Sequence, residues 1–478
     1  MAVDRRICRM RFNFLHLHLH GLIRSRNLEL GRDPDTGGQT QYVLELVKSL
    51  ANTSEVDQVD LVTRLINDPK VDDEYSQEEE FVEPGVKILR FKFGPNKYLR
   101  KELLWSYLDD LTETLISYYK KNKKPNFIHA HYADAGYVGV KLSKSLDVPL
   151  IFTGHSLGRE KKRKLLDTGL NTNQIEKLYS ISKRIEAEEN ALKTADIVVT
   201  STKQESVYQY SQYSSFSIHK AKVIPPGVDH NKFHHIHSTT ETAEIDIMMK
   251  PFLKDSSKPP LLTISRAVRR KNIPSLIEAY GRSEKLKRKT NLILILGCRD
   301  SASKLDPQQK EVFHNIFEMI DKYNLYGKVA YPKKHLPSQI PALYRWAASR
   351  GGVFVNPALT EPFGLTLLEA SSCGLPIIST NDGGPKEIHS KCENGLLVDV
   401  TDINELKVIL ERGILNNNQW KLWSRNGIEG VNRHFSWNTH VRNYLSILTE
   451  EFSRSNSYSS SDIKQSCLKG SSSLIKPH

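Results

Sequence analysis

The chain of 478 residues has only five cysteines, Cys8, Cys298, Cys373, Cys392 and Cys467, and no two form a Cys-x-x-Cys pair. An odd, scattered set supports neither a disulfide framework nor a zinc ribbon, so they read as reduced thiols. No run of about 18 apolar residues occurs, and no membrane-spanning helix is expected. The N-terminus opens on a charged run, Asp4 to Arg6, then alternates apolar with polar residues, unlike a signal-peptide core. A cytoplasmic location is expected. Also missing are a Gly-x-Gly-x-x-Gly after the first strand-like run and a Gly-x-x-x-x-Gly-Lys-Ser/Thr anywhere, which argues against ordinary dinucleotide and Walker-type phosphate grips.

Hydrophobic residues make up 38% and charged ones 26%, a balance that suits a globular protein, and the length exceeds one ordinary domain, so two large units are expected. Lys and Arg number 68 against 55 Asp and Glu, a formal net charge of +13 that favours an anionic partner. The basic residues fall into separate clusters at 120–124, 159–164, 266–271 and 282–289, without interleaved aromatics or a nucleic-acid module. Phosphorylated small molecules are therefore expected in place of nucleic acid. The 282–289 cluster reads as a solvated helix face.

Short apolar runs alternate with helical periodicity along nearly the whole chain, the pattern of parallel sheets covered by helices. Strands are expected at 12–19, 59–64, 86–91, 127–130, 150–153 and 197–200, with helices at 38–50, 100–120, 134–146 and 174–193. Residues 1–235 form the first expected domain, and the polar stretch 236–260 a connection. The pattern restarts over 261–435. Strands fall at 261–265, 292–296, 329–331, 353–356, 376–379 and 396–398, with helices at 274–280, 308–323, 338–348, 364–372, 403–413 and 419–435. A last helix is expected over 436–452. Ten of the residues 453–473 are serine, so 453–478 is expected to be a disordered tail or linker.

Ligands of open parallel sheets bind beyond the carboxyl ends of strands, so loops after strands are where chemistry is expected. Asp35-Thr36-Gly37-Gly38-Gln39 follows the first strand and opens the first helix. Its glycines allow close backbone approach and its helix start offers N–H groups to an anion; a plain Gly-rich turn reads equally well. Glu361-Pro362-Phe363-Gly364-Leu365-Thr366 leads to Glu369, so two carboxylates flank a helix start. Solvated helix charges would look the same. Ser265-Arg266 and Arg269-Arg270-Lys271, after the second domain's opening strand, would stabilise the charge that a departing nucleotide diphosphate acquires. His155, between Gly154 and Ser156, reads first as a structural histidine at a strand end. His16, His18 and His20 alternate along one strand, and strand alternation explains them, like His129 and His131, better than zinc does.

Taken together these segments resemble the retaining GT-B glycosyltransferases of the sucrose synthase and sucrose-phosphate synthase group. The residues that carry the likeness are His20-Gly21-Leu22-Ile23-Arg24 with Asp35 to Gln39, Gly154-His155-Ser156-Leu157-Gly158, Val223-Ile224-Pro225-Pro226-Gly227, Asn356-Pro357-Ala358 with Glu361 to Thr366, Asp382-Gly383-Gly384-Pro385 and Asn394-Gly395-Leu396-Leu397-Val398-Asp399. The resemblance covers about residues 10 to 450. It implies an α/β, GT-B architecture, two Rossmann-like domains facing across a cleft, and transfer of glucose from UDP-glucose, or ADP-glucose, to fructose 6-phosphate with retention and no required cofactor or metal.

By motif matching, Arg266 and Lys271 hold the diphosphate, Glu369 the ribose, and Glu361 with Phe363, Gly364, Leu365 and Thr366 the glucosyl unit. Gly37 lies on the donor side, Gly38 and Gln39 face the reacting centre, and His155 approaches the donor glucose. Lys97, Tyr132, Ser156, Lys161, Lys183 and Arg184 match acceptor positions; without the match, the 159–164 run reads equally as a solvated basic loop. Relatives commonly have an acidic residue and a lysine just before Lys-Asn, whereas this chain reads Arg266-Ala267-Val268-Arg269-Arg270-Lys271-Asn272. Many carry a phosphatase-like domain after the transferase; the Ser-rich tail stands there instead, and no phosphatase activity is expected. The competing expectations are a sucrose synthase-type enzyme using free fructose, whose usual long N-terminal extension is not seen, and a nucleotide-sugar-binding protein without turnover.

Overall fold

The computed structural model describes residues 11–236, 238–414 and 417–468. Cys8 and the run from Asp4 to Arg6 lie outside them. The first sheet has eight strands, β1 Phe12–Leu17, β2 Val56–Arg64, β3 Glu79–Glu83, β4 Val86–Phe91, β5 Phe127–His131, β6 Leu150–Thr153, β7 Ile197–Thr200 and β8 Ala221–Val223. Their spatial order is β3-β4-β2-β1-β5-β6-β7-β8, parallel throughout except for β3 against β4. The inner strands are buried on both faces, which is why β5 to β7 read as near-continuous apolar runs.

The second sheet has six strands, β9 Pro260–Ile264, β10 Asn291–Ile295, β11 Val329–Ala330, β12 Val353–Asn356, β13 Ile377–Thr380 and β14 Gly395–Val398. All pair in parallel, in the order β11-β10-β9-β12-β13-β14. Strand order reverses between β1 and β5 in one sheet and between β9 and β12 in the other. At such a reversal the flanking loops diverge and open a crevice. The loops after β1 and β5 carry Gly37 to Gln39 and Tyr132, and those after β9 and β12 carry Arg266 to Lys271 and Glu361.

The chain crosses between the domains twice, at adjacent points. Val228 N–H donates to Phe435 O at 2.8 Å, and Val228 bridges Ser436. A Cβ on Gly227 would lie 2.3 Å from Trp437 N, so only glycine fits that crossing. Helix Asn417–His434 packs on the second domain, while Trp437, Val441, Tyr444 and Leu445 of the last helix are buried against Phe14 and Val43 in the first.

Several elements differ from the expectations. The polar connection 236–260 contains helix Thr239–Met249, capped by Ser238 and burying Ile245 and Met249. With so few apolar anchors its periodicity is faint. The expected helix 174–193 is two, Thr172–Tyr179 and Ile181–Thr194, separated by Ser180 at φ +46°. Residues 100–107 form two 3-10 turns before helix Leu108–Lys121. The basic run 159–164 lies on helix Gly158–Asp167, not in a loop. Strand β1 ends at Leu17, so His18 and His20 lie beyond it. The last helix, Trp437–Leu468, continues past the end expected at 452, as serine tolerates helix and no Gly or Pro intervenes before Gly470. Residues 469–478 of the expected tail lie outside the described residues. No described helix is long and apolar enough to cross a membrane.

Candidate active site

In the second domain, Lys271 Nζ lies 2.5 Å from Glu361 Oε2, and Asn356 Nδ2 donates to the same oxygen at 3.0 Å. The backbone of Glu361 is itself held: its N–H donates to Asp382 O, and its carbonyl accepts from Gly384 N–H at 2.9 Å. Gly383, at φ +99°, passes so close to Glu361 O that a Cβ would collide with it. The Asp382-Gly383-Gly384 run thus fixes where Glu361 points. Beside it Gly364, at φ +107°, caps helix Leu365–Ser372, whose first turn leaves the N–H groups of Leu365 and Thr366 without intrahelical partners.

One and a half turns on, Glu369 accepts from Tyr344 OH at 3.1 Å. Burial pushes its carboxyl up to about 7, against the pull of the tyrosine. The Arg266 guanidinium is exposed and makes no side-chain hydrogen bond or ion pair among the described residues. Arg266 is therefore not part of the Lys271–Glu361 contact, although the sequence places them in one loop.

In the first domain, Gly37 caps helix Gly38–Ala51, and a Cβ on Gly37 or Gly38 would meet nothing within 4 Å. Access, not packing, is what these glycines leave open. Gln39 Nε2 lies 3.2 Å from His18 Nδ1. Asp35 accepts from Lys101 N–H at 2.9 Å and forms an ion pair with the Lys101 ammonium. Lys101 then lines a pocket with Trp105, Tyr132, Lys161, Tyr179 and Arg184.

Arg184 is buried, with Nε donating to Glu188 at 2.9 Å, Nη2 to Ser156 O at 2.5 Å, and its guanidinium 4.4 Å from the Tyr132 ring centroid. Its Nη1 is buried without a partner among the described residues. Tyr132 holds φ +82°, at the turn from β5 into helix Ala133–Leu146. Lys161 Nζ sits 3.9 Å from the Tyr179 ring centroid and no closer than 3.9 Å to a carboxylate, that of Glu102. Burial, then Arg184 and Lys101, push its pKa down to about 8. Lys97 and Lys183 are exposed and line an adjoining, more open depression, sharing Glu102 and Trp105 with the first pocket as a common wall.

His155 adopts φ +54° and packs edge-on against Tyr42, ring centroids 5.0 Å apart. Its Nε2 lies 3.0 Å from His131 Nδ1, and burial pushes its pKa down to about 3. The halves meet where Tyr42, Gln41 and Glu45 of one domain line a narrow pocket with Leu365 and Glu369 of the other. Gln204 Nε2 also donates to Asp382 Oδ1 across the domains at 3.2 Å.

The structure thus joins Lys271 with Glu361, and Tyr132, Ser156, Lys161 and Arg184 with one another. Lys97 and Lys183 stand one wall away, and Arg266 and His155 contact neither group. Sequence reasoning missed Lys101 and Tyr344, which stand in no motif; only partners distant in the chain reveal them. Among the described residues, the side chains with metal-ligating spacing are His16, His129 and His131, whose nitrogens lie within 4.8 Å of one another.

Two family models match the chain: the first GT-B domain of sucrose synthase over residues 3–239, and glycosyl transferases group 1 over 244–430. Sucrose-phosphate synthase 4 of Arabidopsis thaliana is 38% identical over 492 residues, covering 90% of this chain and 47% of the plant protein. The chain spans about half the length of the curated relatives it matches. Among solved structures, the sucrose-phosphate synthase of Thermosynechococcus elongatus superposes with a TM-score of 0.71 at 24% identity, over 93% of this chain and all of that one. Anabaena HepE in complex with UDP-glucose does so with a TM-score of 0.62 at 16% identity, over 92% and 100%. With two facing parallel-sheet domains, a family model on each, and this kinship along nine-tenths of its length, the chain belongs to the GT-B glycosyltransferases of the sucrose synthase and sucrose-phosphate synthase group.

Proposed function

We propose that the chain is a retaining hexosyltransferase that moves glucose from UDP-glucose, with ADP-glucose as the other candidate donor, to the C2 hydroxyl of fructose 6-phosphate, releasing sucrose 6-phosphate and the nucleotide diphosphate in the cytoplasm. The observation that carries the acceptor is spare cationic capacity in one pocket: Arg184, paired with Glu188, keeps a buried Nη1 without a partner among the described residues, and Lys161 has no carboxylate among them nearer than 3.9 Å. A buried donor without an acceptor costs about 1–3 kcal/mol, and more when charged. Phosphate oxygens would satisfy both groups; free fructose would not.

On the donor side, charge builds on the diphosphate as the glycosidic bond breaks. Lys271 and the N–H groups of Leu365 and Thr366 provide fixed positive ends for it, which favours the transition state over the ground state, and the exposed Arg266 adds a positive charge unpaired among the described residues. Glu361 then serves the glucosyl hydroxyls and Glu369 the ribose. His155, neutral at pH 7, is no imidazolium acid. That suits same-face attack in which the leaving phosphate takes the acceptor's proton. No metal is required in this reading, because Glu361 already faces Lys271 and Asn356, and Glu369 faces Tyr344.

A sucrose synthase-type reaction with free fructose is the second reading, favoured by the family model that matches the first domain. Product analysis separates the two. UDP-glucose and ADP-glucose are each offered fructose and fructose 6-phosphate; the proposal expects a phosphorylated disaccharide as main product, and equal kcat/KM for free fructose would overturn it.

A further inference from the structure

In the first domain a file of imidazoles ends at His155, and the steps proposed above give its inner members, His16 and His131, no part. His16 Nδ1 lies 3.0 Å from His131 Nε2, and His131 Nδ1 lies 3.0 Å from His155 Nε2. His16 and His131 have no solvent exposure at all. At the inner end His16 Nε2 is buried without a partner among the described residues. At the outer end His155 is only part-buried, and its Nδ1 has no hydrogen-bond partner among the described residues.

Burial pushes His16 and His155 down to about 3 and His131 well below its ordinary value, so at neutral pH each ring carries one proton. Each link also needs one proton. Only two arrangements satisfy both links. In the first, His16 Nδ1–H donates to His131 Nε2, His131 Nδ1–H donates to His155 Nε2, and the His155 proton sits on Nδ1. In the second, every proton moves to the other nitrogen, and His16 is left with an orphaned N–H in the core. The first leaves only a bare lone pair there. Buried orphan N–H groups are the rarer and costlier defect.

We propose that His16 and His131 are positioning residues that fix the tautomer of His155, so that its Nδ1, the nitrogen outside the file, carries an N–H and not a lone pair. The neighbouring His129 does not disturb the file, since its two nitrogens are held by Thr153 Oγ1 at 2.8 Å and Tyr444 OH at 3.0 Å, hydroxyls that donate or accept equally well. A metal ion among His16, His129 and His131 would break these bonds and bury a double charge with no carboxylate in the group.

The test uses the full chain labelled with ring-15N histidine, without substrate, so that failure of this inference is distinguishable from failure of the proposed reaction, on which only the kinetic arm rests. Expected in the wild type is a protonated Nδ1 and a bare Nε2 at His155, assigned by difference with His155→Gln. His16→Asn can turn either its amide N–H or its amide oxygen towards His131 Nε2, so the second arrangement no longer leaves an orphaned N–H; it should give mixed tautomers at His155 and about tenfold lower kcat with the nucleotide-sugar KM within about twofold. His16→Leu leaves only apolar surface at His131 Nε2, where a bare lone pair is again preferred to an orphaned N–H, so the tautomer with the proton on His155 Nδ1 should persist. A protonated Nε2 at His155 in the wild type, an unchanged His155 spectrum in His16→Asn, or stoichiometric metal bound at these rings would overturn the inference. If His16→Asn does not fold, the wild-type spectrum decides alone.

Discussion

Lys161→Met is the most discriminating change in the acceptor pocket, because it removes a charge and little else. The ammonium lies against the Tyr179 ring and has no close carboxylate, so methionine keeps the stem packing and a sulfur–aromatic contact. Losing one charge-assisted contact to a phosphate should cost about 1.5–3 kcal/mol, or roughly ten- to a hundredfold in kcat/KM for fructose 6-phosphate. The pH profile adds a second handle. With a pKa of about 8, Lys161 is charged in about nine molecules in ten at pH 7 and about one in ten at pH 9. The contribution is therefore full below pH 8 and lost above it, while the substrate phosphate, with its second pKa near 6, stays dianionic across the window. The assay is kcat/KM for fructose 6-phosphate at saturating UDP-glucose from pH 7 to 9, which reports groups of the enzyme before the acceptor binds. Wild type should fall about tenfold across the window; Lys161→Met should start low and stay flat; Lys161→Arg should stay high. Parallel slopes in wild type and Lys161→Met, or a loss expressed in the KM for the nucleotide sugar, would refute the reasoning.

Lys271→Ala should lower turnover at saturating donor by about a hundredfold or more, the scale of losing a fixed transition-state donor; a change confined to donor KM would mean that it binds ground state and transition state alike. Glu361→Gln should damage transfer while UDP binding, measured by calorimetry, survives. Glu369→Gln should weaken UDP binding by about 1–3 kcal/mol. In the wild type the Glu369 carboxyl, at about 7, is neutral below that pH and charged above it, so UDP affinity should rise from pH 6 to 8, a trend the variant should lack. Activity should survive exhaustive chelation; if it is abolished and returns only with metal bound to the protein, both glutamates must be reassigned. Gly227→Ala should lower thermal stability by about 1–3 kcal/mol or more through overpacking against Trp437, as a melting curve would register.

Both sheets were legible because parallel strands buried on two faces are largely apolar, as Ile197-Val198-Val199 is. Strand β3 was not: Glu79-Glu80-Phe81-Val82-Glu83 sits on an exposed edge with Phe81 69% exposed, and an edge under no burial constraint leaves no pattern. Helix Thr239–Met249 escaped notice for a related reason, since two anchors suffice where Arg345 to Glu241 and Trp346 to Asp246 bonds do the rest. In the site, the spacing of Glu361 and Glu369 around a helix start was readable because it is local. The contact of Lys271 with Glu361 spans 90 residues and depends on β9 lying beside β12, which no local pattern encodes. Lys101 is the extreme case, an ordinary lysine before a short turn whose meaning comes from Asp35, 66 residues earlier.

The two halves of the cleft differ in how their cations are satisfied, and this bears on what each can do. Lys271 is compensated by Glu361 at 2.5 Å, with both side chains only 13% exposed, so the pair adds little long-range pull on an approaching anion. Arg266, exposed and without an ion pair among the described residues, retains that pull. A compensated cation is held in place by its partner before the reaction begins, and preorganisation of this kind is what makes a charge stabilise a transition state without reorganising at the moment of bond breaking. In the proposed acceptor pocket Lys101 is bound to Asp35 and Arg184 to Glu188, but Lys161 and the Arg184 Nη1 donor keep spare capacity, whose cost would be relieved by an anion that binds equally in the ground state and the transition state. In the proposed reaction the same elements of charge would therefore serve turnover on one side of the cleft and recognition on the other.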